Sequence, residues 1–211
     1  MTARETAGRF ISVEGIDGSG KSTQAGRLAE ALRAAGGEVV LTREPGGAPG
    51  AEDIRRLLVE GDGARWSPET EALLFTAARR DHLERTIAPA LDRGATVVTD
   101  RFADSTRVYQ GAVRGDLRGL VDALHALAIG REPDLTLVID ADPKTALART
   151  TARGGTDRRF EGFGLEFQRA LRAGFRALAA AEPDRIRLID GAGSEAEVAA
   201  RVTAAVGLVA P

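Results

Sequence analysis

The chain has 211 residues, 43% of them apolar and 28% charged, with 29 lysines and arginines against 31 aspartates and glutamates. A net charge of −2 excludes a simple polybasic binder of nucleic acid or membrane surfaces, and the apolar share suits a folded domain with a sizeable core. There is no cysteine, which excludes disulfides, cysteine-held zinc, iron–sulfur clusters and thiol catalysis.

Before Phe10 the sequence is polar and lacks the apolar core of a signal peptide. FISVE (10–14) is predicted as the first strand and 21–35 as a helix ended by Gly36-Gly37. EVVLT (38–42) is the second strand, followed by TREPGGAPG (42–50), a loop rich in Gly and Pro. Residues 68–93 form a long helical region with Leu73, Leu74, Ala77 and Ala78 on one face and a kink or restart at Pro89. The third strand is ATVVTD (95–100), then a helix over 117–129, the strand LTLVID (135–140) and a helix over 143–153. The loop RGGTDRRFEGFG (153–164) precedes a helix over 165–181, the strand RIRLI (185–189) and a last helix over 194–206. Short β-branched strands alternating with helices predict an α/β fold, a five-stranded parallel sheet flanked by helices, in one domain spanning 1–211. No apolar stretch reaches the roughly 18 residues that a membrane helix needs, so a soluble, cytoplasmic protein is expected.

Gly15-Ile16-Asp17-Gly18-Ser19-Gly20-Lys21-Ser22 fits G-x-x-x-x-G-K-[ST], with Thr23 next, a strand before it and a helix after it. This is the P-loop of nucleotide-binding proteins. Its glycines let backbone N–H groups curl around phosphate oxygens at the positive end of a helix. Lys21 can reach the β- and γ-phosphates, and the Ser22 hydroxyl can ligate Mg²⁺. Asp100 ends an apolar strand as a Walker-B-type acid does, which points to the same Mg²⁺. Asp140 ends a strand in the same way but reads as the neighbour of the next helix. His82 and His125 receive no role and read as exposed or capping residues.

FISVEGIDGSGKST, TREPGG (42–47), LLFTAAR (73–79), DRFADSTRVYQG (100–111), PDLTLVID (133–140) and ARGGTDRRFE (152–161) occur in that order. Together they resemble the thymidylate kinases, over nearly the whole chain. The resemblance implies a P-loop NTPase of nucleoside monophosphate kinase type, with ATP and dTMP as substrates, Mg²⁺ as cofactor and a homodimer in solution. It implies that Arg43 and Arg101 hold the acceptor phosphate, chemistry that suits the two-point guanidinium fork. Phe75 would stack on the pyrimidine and Arg79, four residues on, would bond its O4; from residue type alone Phe75 reads as a core aromatic. Asp17 matches an acid beside the deoxyribose 3′-OH, Tyr109 and Gln110 stand near sugar and base, and Ser105 supports the base or its water.

An acceptor phosphate oxygen is already ionised near neutral pH, so positioning and charge neutralisation suffice for transfer. With Gly18-Ser19 in the phosphate loop, the chain resembles the bacterial type whose lid, about 152–164, delivers arginines instead. Arg149 would serve ATP and Arg153 the transferred phosphoryl, with Arg158 or Arg159 as a further contact. Other acceptors, such as dUMP, UMP or a deoxynucleoside, stay open at this level. A GTPase-like switch or partitioning ATPase is the rival class. No N-K-x-D loop exists to read guanine, because Lys21 and Lys144 are the only lysines and Pro143 precedes Lys144.

Overall fold

The computed structural model describes residues 8–60, 65–153 and 164–208. Strands β1 (Phe10–Glu14), β2 (Val39–Arg43), β3 (Thr96–Asp100), β4 (Leu135–Asp140) and β5 (Ile186–Asp190) form one sheet in the order β2-β3-β1-β4-β5. Every pairing is parallel, and Val13 stands opposite Asp100 on one side and Leu137 on the other. The strand alternation therefore yields the five-stranded parallel sheet expected from sequence.

Around the sheet run α1 (Lys21–Ala34), α2 (Pro49–Val59), α3 (Pro68–His82), α4 (Ala88–Asp92), α5 (Ala103–Thr106), α6 (Arg118–Ala128), α7 (Pro143–Arg153), α8 (Gly164–Ala181) and α9 (Glu195–Ala205). Local chemistry sets several of their ends. Ser67 accepts from the Thr70 N–H at the start of α3, and Ser194 with Glu197 makes a reciprocal capping box at α9.

β1 is buried along its whole length because both its faces are covered. Alternation sends Ile11 and Val13 to one face, where they meet Ala25 and Leu28 of α1 and Val198 and Val202 of α9. It sends Phe10 to the other face, edge-on to Phe102 at 4.9 Å and packed with Leu83 and Ile87. Leu137 of β4 lies in the first layer at 0% exposure. Leu137→Ala should therefore cost about 2–5 kcal/mol in a urea unfolding experiment.

The sheet also places charge. All five strands end on an ionisable residue at the same edge, namely Glu14, Arg43, Asp100, Asp140 and Asp190. Open parallel sheets bind ligands outside this carboxyl edge.

Several sequence expectations change. Residues 49–59, not drawn as an element from periodicity, form α2 with Pro49 at its start and Glu52 in its first turn. The 68–93 region is helical throughout, but α3 widens into a π-helical turn over Leu83–Ile87 before α4 restarts around Pro89. The wider turn accommodates a residue with no N–H to donate. The buried side of α3 is Ala72, Thr76, Ala78, Arg79 and His82, while Leu73 is exposed, so the face centred on Leu73 and Ala77 is not the core face. A second π-helical segment, Arg107–Val113, continues α5. His82 and His125 are both buried, His82 completely, contrary to their reading as surface residues. Asp140 does precede α7, as read from sequence, but it is bound to another helix. Its carboxylate accepts from Arg172 and Arg176 of α8, and Asp142 takes the capping contact with the Thr145 N–H.

Candidate active site

The phosphate loop runs from the end of β1 to the first turn of α1. Gly15 has φ 135°, and a Cβ there would sit 2.7 Å from the Ile139 carbonyl oxygen. Gly18 has φ 78°, and a Cβ there would sit 2.1 Å from the carbonyl oxygen of Ala146 in α7. These glycines let the loop curl while α7 lies directly against it. Lys21 is 6% exposed and its Nζ donates to the Ile16 carbonyl at 2.8 Å. Burial, with the nearby Arg101 charge, lowers the Lys21 pKa to about 8.

Asp17 joins this loop to the next strand. Its carboxylate forms an ion pair with Arg101, accepts from the Tyr109 hydroxyl at 3.0 Å and lies 3.8 Å from Lys21 Nζ. Burial pushes the Asp17 pKa up, but the Arg101 and Lys21 charges outweigh it and hold the acid below its ordinary range. Burial raises the Tyr109 pKa, so its phenol is a donor. Arg101 follows β3 directly, with its guanidinium 5.2 Å from the Tyr109 ring centre and Nη1 donating to Ser105 at 3.0 Å. Thus Asp17, Arg101, Ser105 and Tyr109, separated in sequence, form one cluster beside Lys21.

A second cluster lies deeper. Arg79 is 3% exposed; its Nε donates to Glu44 at 2.7 Å and its Nη2 to the Phe102 carbonyl and the Thr106 hydroxyl. Glu44 also meets His82 Nδ1 at 3.0 Å, and His82 Nε2 lies 2.7 Å from the Thr42 hydroxyl. Arg79 is thus held from three sides by protein. Phe75 is half-buried one turn earlier on α3. Gln110 is buried and donates to Glu71 at 3.0 Å, and Glu71 also pairs with Arg114.

Not every expected residue joins these groups. Arg43 stands in register opposite Asp100, but its side chain pairs with Glu52 of α2 at 3.0 Å. Arg149 lies exposed on α7, one turn beyond Ala146. Arg153 ends α7 with its side chain outside the described residues, as are Arg158, Arg159 and nearly all of the expected lid.

Ser22 and Asp100 do come together. The Ser22 hydroxyl donates to Asp100 Oδ2, and Asp100 Oδ1 is buried without a hydrogen-bond partner among the described residues. Two hard oxygen donors, one with an unused lone pair, fit an octahedral cation that takes its other ligands from water and substrate phosphates. Among the described residues no cluster of three or more His, Asp or Glu could hold a metal by itself.

Glu14, Glu44, Glu71 and His82 support this site without being assigned to it by the motifs. Glu14 had a readable signal, an acid closing an otherwise apolar strand immediately before the glycine loop. For the other three, only tertiary packing shows which side chain each one holds.

Comparison with known proteins adds four findings. The family model described as thymidylate kinase matches residues 13–202. A thymidylate kinase of Dinoroseobacter shibae is 73% identical over 197 residues, covering 93% of this chain and 95% of that protein. One of Ruegeria pomeroyi is 67% identical, with 93% of each chain covered. Among solved structures, a thymidylate kinase from Ehrlichia chaffeensis superposes with a TM-score of 0.76 at 36% identity, covering 95% of this chain and 99% of that one.

Proposed function

The chain belongs to the thymidylate kinase family and phosphorylates dTMP to dTDP in nucleotide biosynthesis; we propose that ATP is the donor, that Mg²⁺ accompanies it, and that the residues at the carboxyl edge divide the work. The observation that carries this division is the bonding of Asp17, in the phosphate loop, to both Arg101 and Tyr109, in the segment after β3. It couples the donor-phosphate motif to the acceptor motif.

In this reading the backbone of Gly15, Ile16, Asp17, Gly18, Ser19 and Gly20, continued by Lys21, Ser22 and Thr23, cradles the ATP phosphates. Ser22 and Asp100 would hold Mg²⁺, which would supply charge neutralisation for the phosphates. Arg101 grips the acceptor phosphate, with Arg43 beside it once its guanidinium leaves Glu52. Asp17 accepts from the deoxyribose 3′-OH, and Tyr109 crowds the place of a 2′-hydroxyl. Phe75 stacks on the pyrimidine, with Ser105 and Gln110 near sugar and base. Arg79 offers donors only, so it donates to the O4 carbonyl of thymine and rejects the amino group of cytosine. Arg149 and Arg153 approach from the lid side, Arg153 to the transferred phosphoryl, with Arg158 or Arg159 as a further contact. No general base is required, since the attacking phosphate oxygen carries its own charge. The chain acts as one domain in the cytoplasm, as a homodimer whose interface would cover exposed leucines such as Leu73 of α3 and Leu127 of α6.

Coupled ADP-release assays across dTMP, dUMP, dCMP and AMP test the assignment. Turnover should be fastest with dTMP and lower by orders of magnitude with dCMP. Preference for dCMP or AMP would overturn the roles of Arg79 and Phe75.

A second measurement follows from Lys21. With its pKa near 8, a substantial fraction of this lysine is neutral at pH 8, and polyphosphate binding favours the charged form. ATP binding at pH 8 should therefore take up about half a proton by linkage. Calorimetry in buffers of different ionisation enthalpy reads that uptake, and it should vanish in Lys21→Arg.

A further inference from the structure

Arg101 is the only non-glycine residue with positive φ among the described residues, at 73°. A side-chain-bearing residue disfavours this left-handed backbone and adopts it only where the surroundings enforce it. Here the enforcement comes from β1. The Arg101 N–H donates to the Val13 carbonyl at 3.0 Å, and the next N–H, that of Phe102, donates to Glu14 Oε1 at 2.7 Å.

Glu14 is completely buried. Strand alternation aims it with Phe10 and Ser12 at the face that carries residues 102–105, away from α1. Its second oxygen accepts from the Ser105 hydroxyl at 2.5 Å, and that hydroxyl oxygen accepts from Arg101 Nη1 at 3.0 Å. One carboxylate therefore holds the strained backbone beside Arg101 and, through Ser105, the guanidinium itself.

We infer that Glu14 is a positioning residue for the acceptor phosphate: it fixes the backbone and fork of Arg101 before the nucleotide arrives. This rests on the assignment of Arg101 to the acceptor phosphate made above. A buried acid is a costly choice for tying two segments together. Burial, reinforced by the Asp104 charge, pushes the Glu14 pKa up to about 7. What a carboxylate offers here is acceptance on both oxygens at once, which an amide of the same size lacks. With Gln at this position an NH₂ group would face Ser105, whose oxygen already accepts from Arg101. The serine proton would turn and the hold on Arg101 would loosen.

The test is calorimetric binding of dTMP, thymidine and ATP to the full chain, with steady-state kinetics, for wild type, Glu14→Gln, Ser105→Ala, the double variant and Arg101→Ala. Glu14→Gln should weaken dTMP binding and raise its KM about tenfold, a shift of the size one lost hydrogen bond produces. Thymidine, which lacks the phosphate, and ATP should stay within about twofold. Ser105→Ala should also weaken dTMP binding, and the double variant should be no worse than the worse single variant, because both act through one chain of contacts. A Glu14→Gln protein that binds dTMP normally while Arg101→Ala does not would overturn the inference. So would equal weakening of dTMP, thymidine and ATP, the mark of a merely structural role. If Glu14→Gln fails to fold, Ser105→Ala decides alone, and normal dTMP binding by it refutes the inference. If Arg101→Ala itself binds dTMP normally, the phosphate assignment fails first and the role of Glu14 falls with it.

Discussion

Arg101→Ala should lower kcat/KM for dTMP by about 10³-fold or more, the scale of losing an arginine that stabilises phosphoryl-transfer charge. Three features make this the largest expected effect. The guanidinium is the cation joined to both the phosphate loop, through Asp17, and the acceptor segment, through Ser105 and Tyr109. Burial pushes its pKa down, but the carboxylates of Asp17, Asp100 and Glu14 among its neighbours more than offset this, so the group is always charged. Removing it also leaves Asp17 with Lys21 and Tyr109 alone, so the contact proposed for Asp17 with the sugar should shift as well. Arg101→Lys should recover little, because one ammonium cannot span a phosphate in two-point geometry. Steady-state kinetics with dTMP varied at saturating ATP read the loss, and the KM for ATP should change less than threefold.

Lys21→Arg should lower kcat by about 10²-fold or more, on the scale of losing a preorganised electrostatic contact in the transition state. The charge is retained, so the experiment isolates shape. Lys21 is 6% exposed beneath a loop whose Ile16 carbonyl its ammonium already touches. A compact ammonium on a flexible stem fits between phosphates at that depth. A planar fork needs more width, and the loop cannot yield where Gly18 lies against the Ala146 backbone. Equal turnover in Lys21→Arg would mean that net charge alone matters at this position.

The sheet and the phosphate loop were legible in sequence because they depend on local patterns. FISVE before GIDGSGKS carries strand, turn and helix start within a few residues, and β-branched runs mark the remaining strands. The acceptor cluster was legible only as a set of motifs. That Asp17 meets Arg101 and Tyr109 depends on β1 lying next to β3, a pairing of strands far apart in sequence. α2 escaped notice because its Gly and Pro residues read as loop, although Pro at the first turn also starts helices. The buried side of α3 was misread because polar residues occupy it. Arg79 and His82 are core residues held through Glu44, and an apolar pattern does not register a buried ion pair. Glu14 stands out as an acid closing an apolar strand, but its partners are 88 and 91 residues away, so only packing shows what it holds.

The two lysines mark the difference between composition and role. Lys21 lies in the phosphate loop, whereas Lys144 lies exposed near the start of α7, beside Arg169, Arg172 and Arg176, and nothing in the structure assigns it a task.

In the proposed function the phosphoryl group passes directly from one nucleotide to the other. Incubation with ATP labelled at the γ-phosphate, followed by separation of products, tests it most directly. Label is expected in the β-phosphate of dTDP, in amounts equal to the ADP formed and dependent on added dTMP. Label released only as inorganic phosphate, at a rate that dTMP does not change, would contradict it.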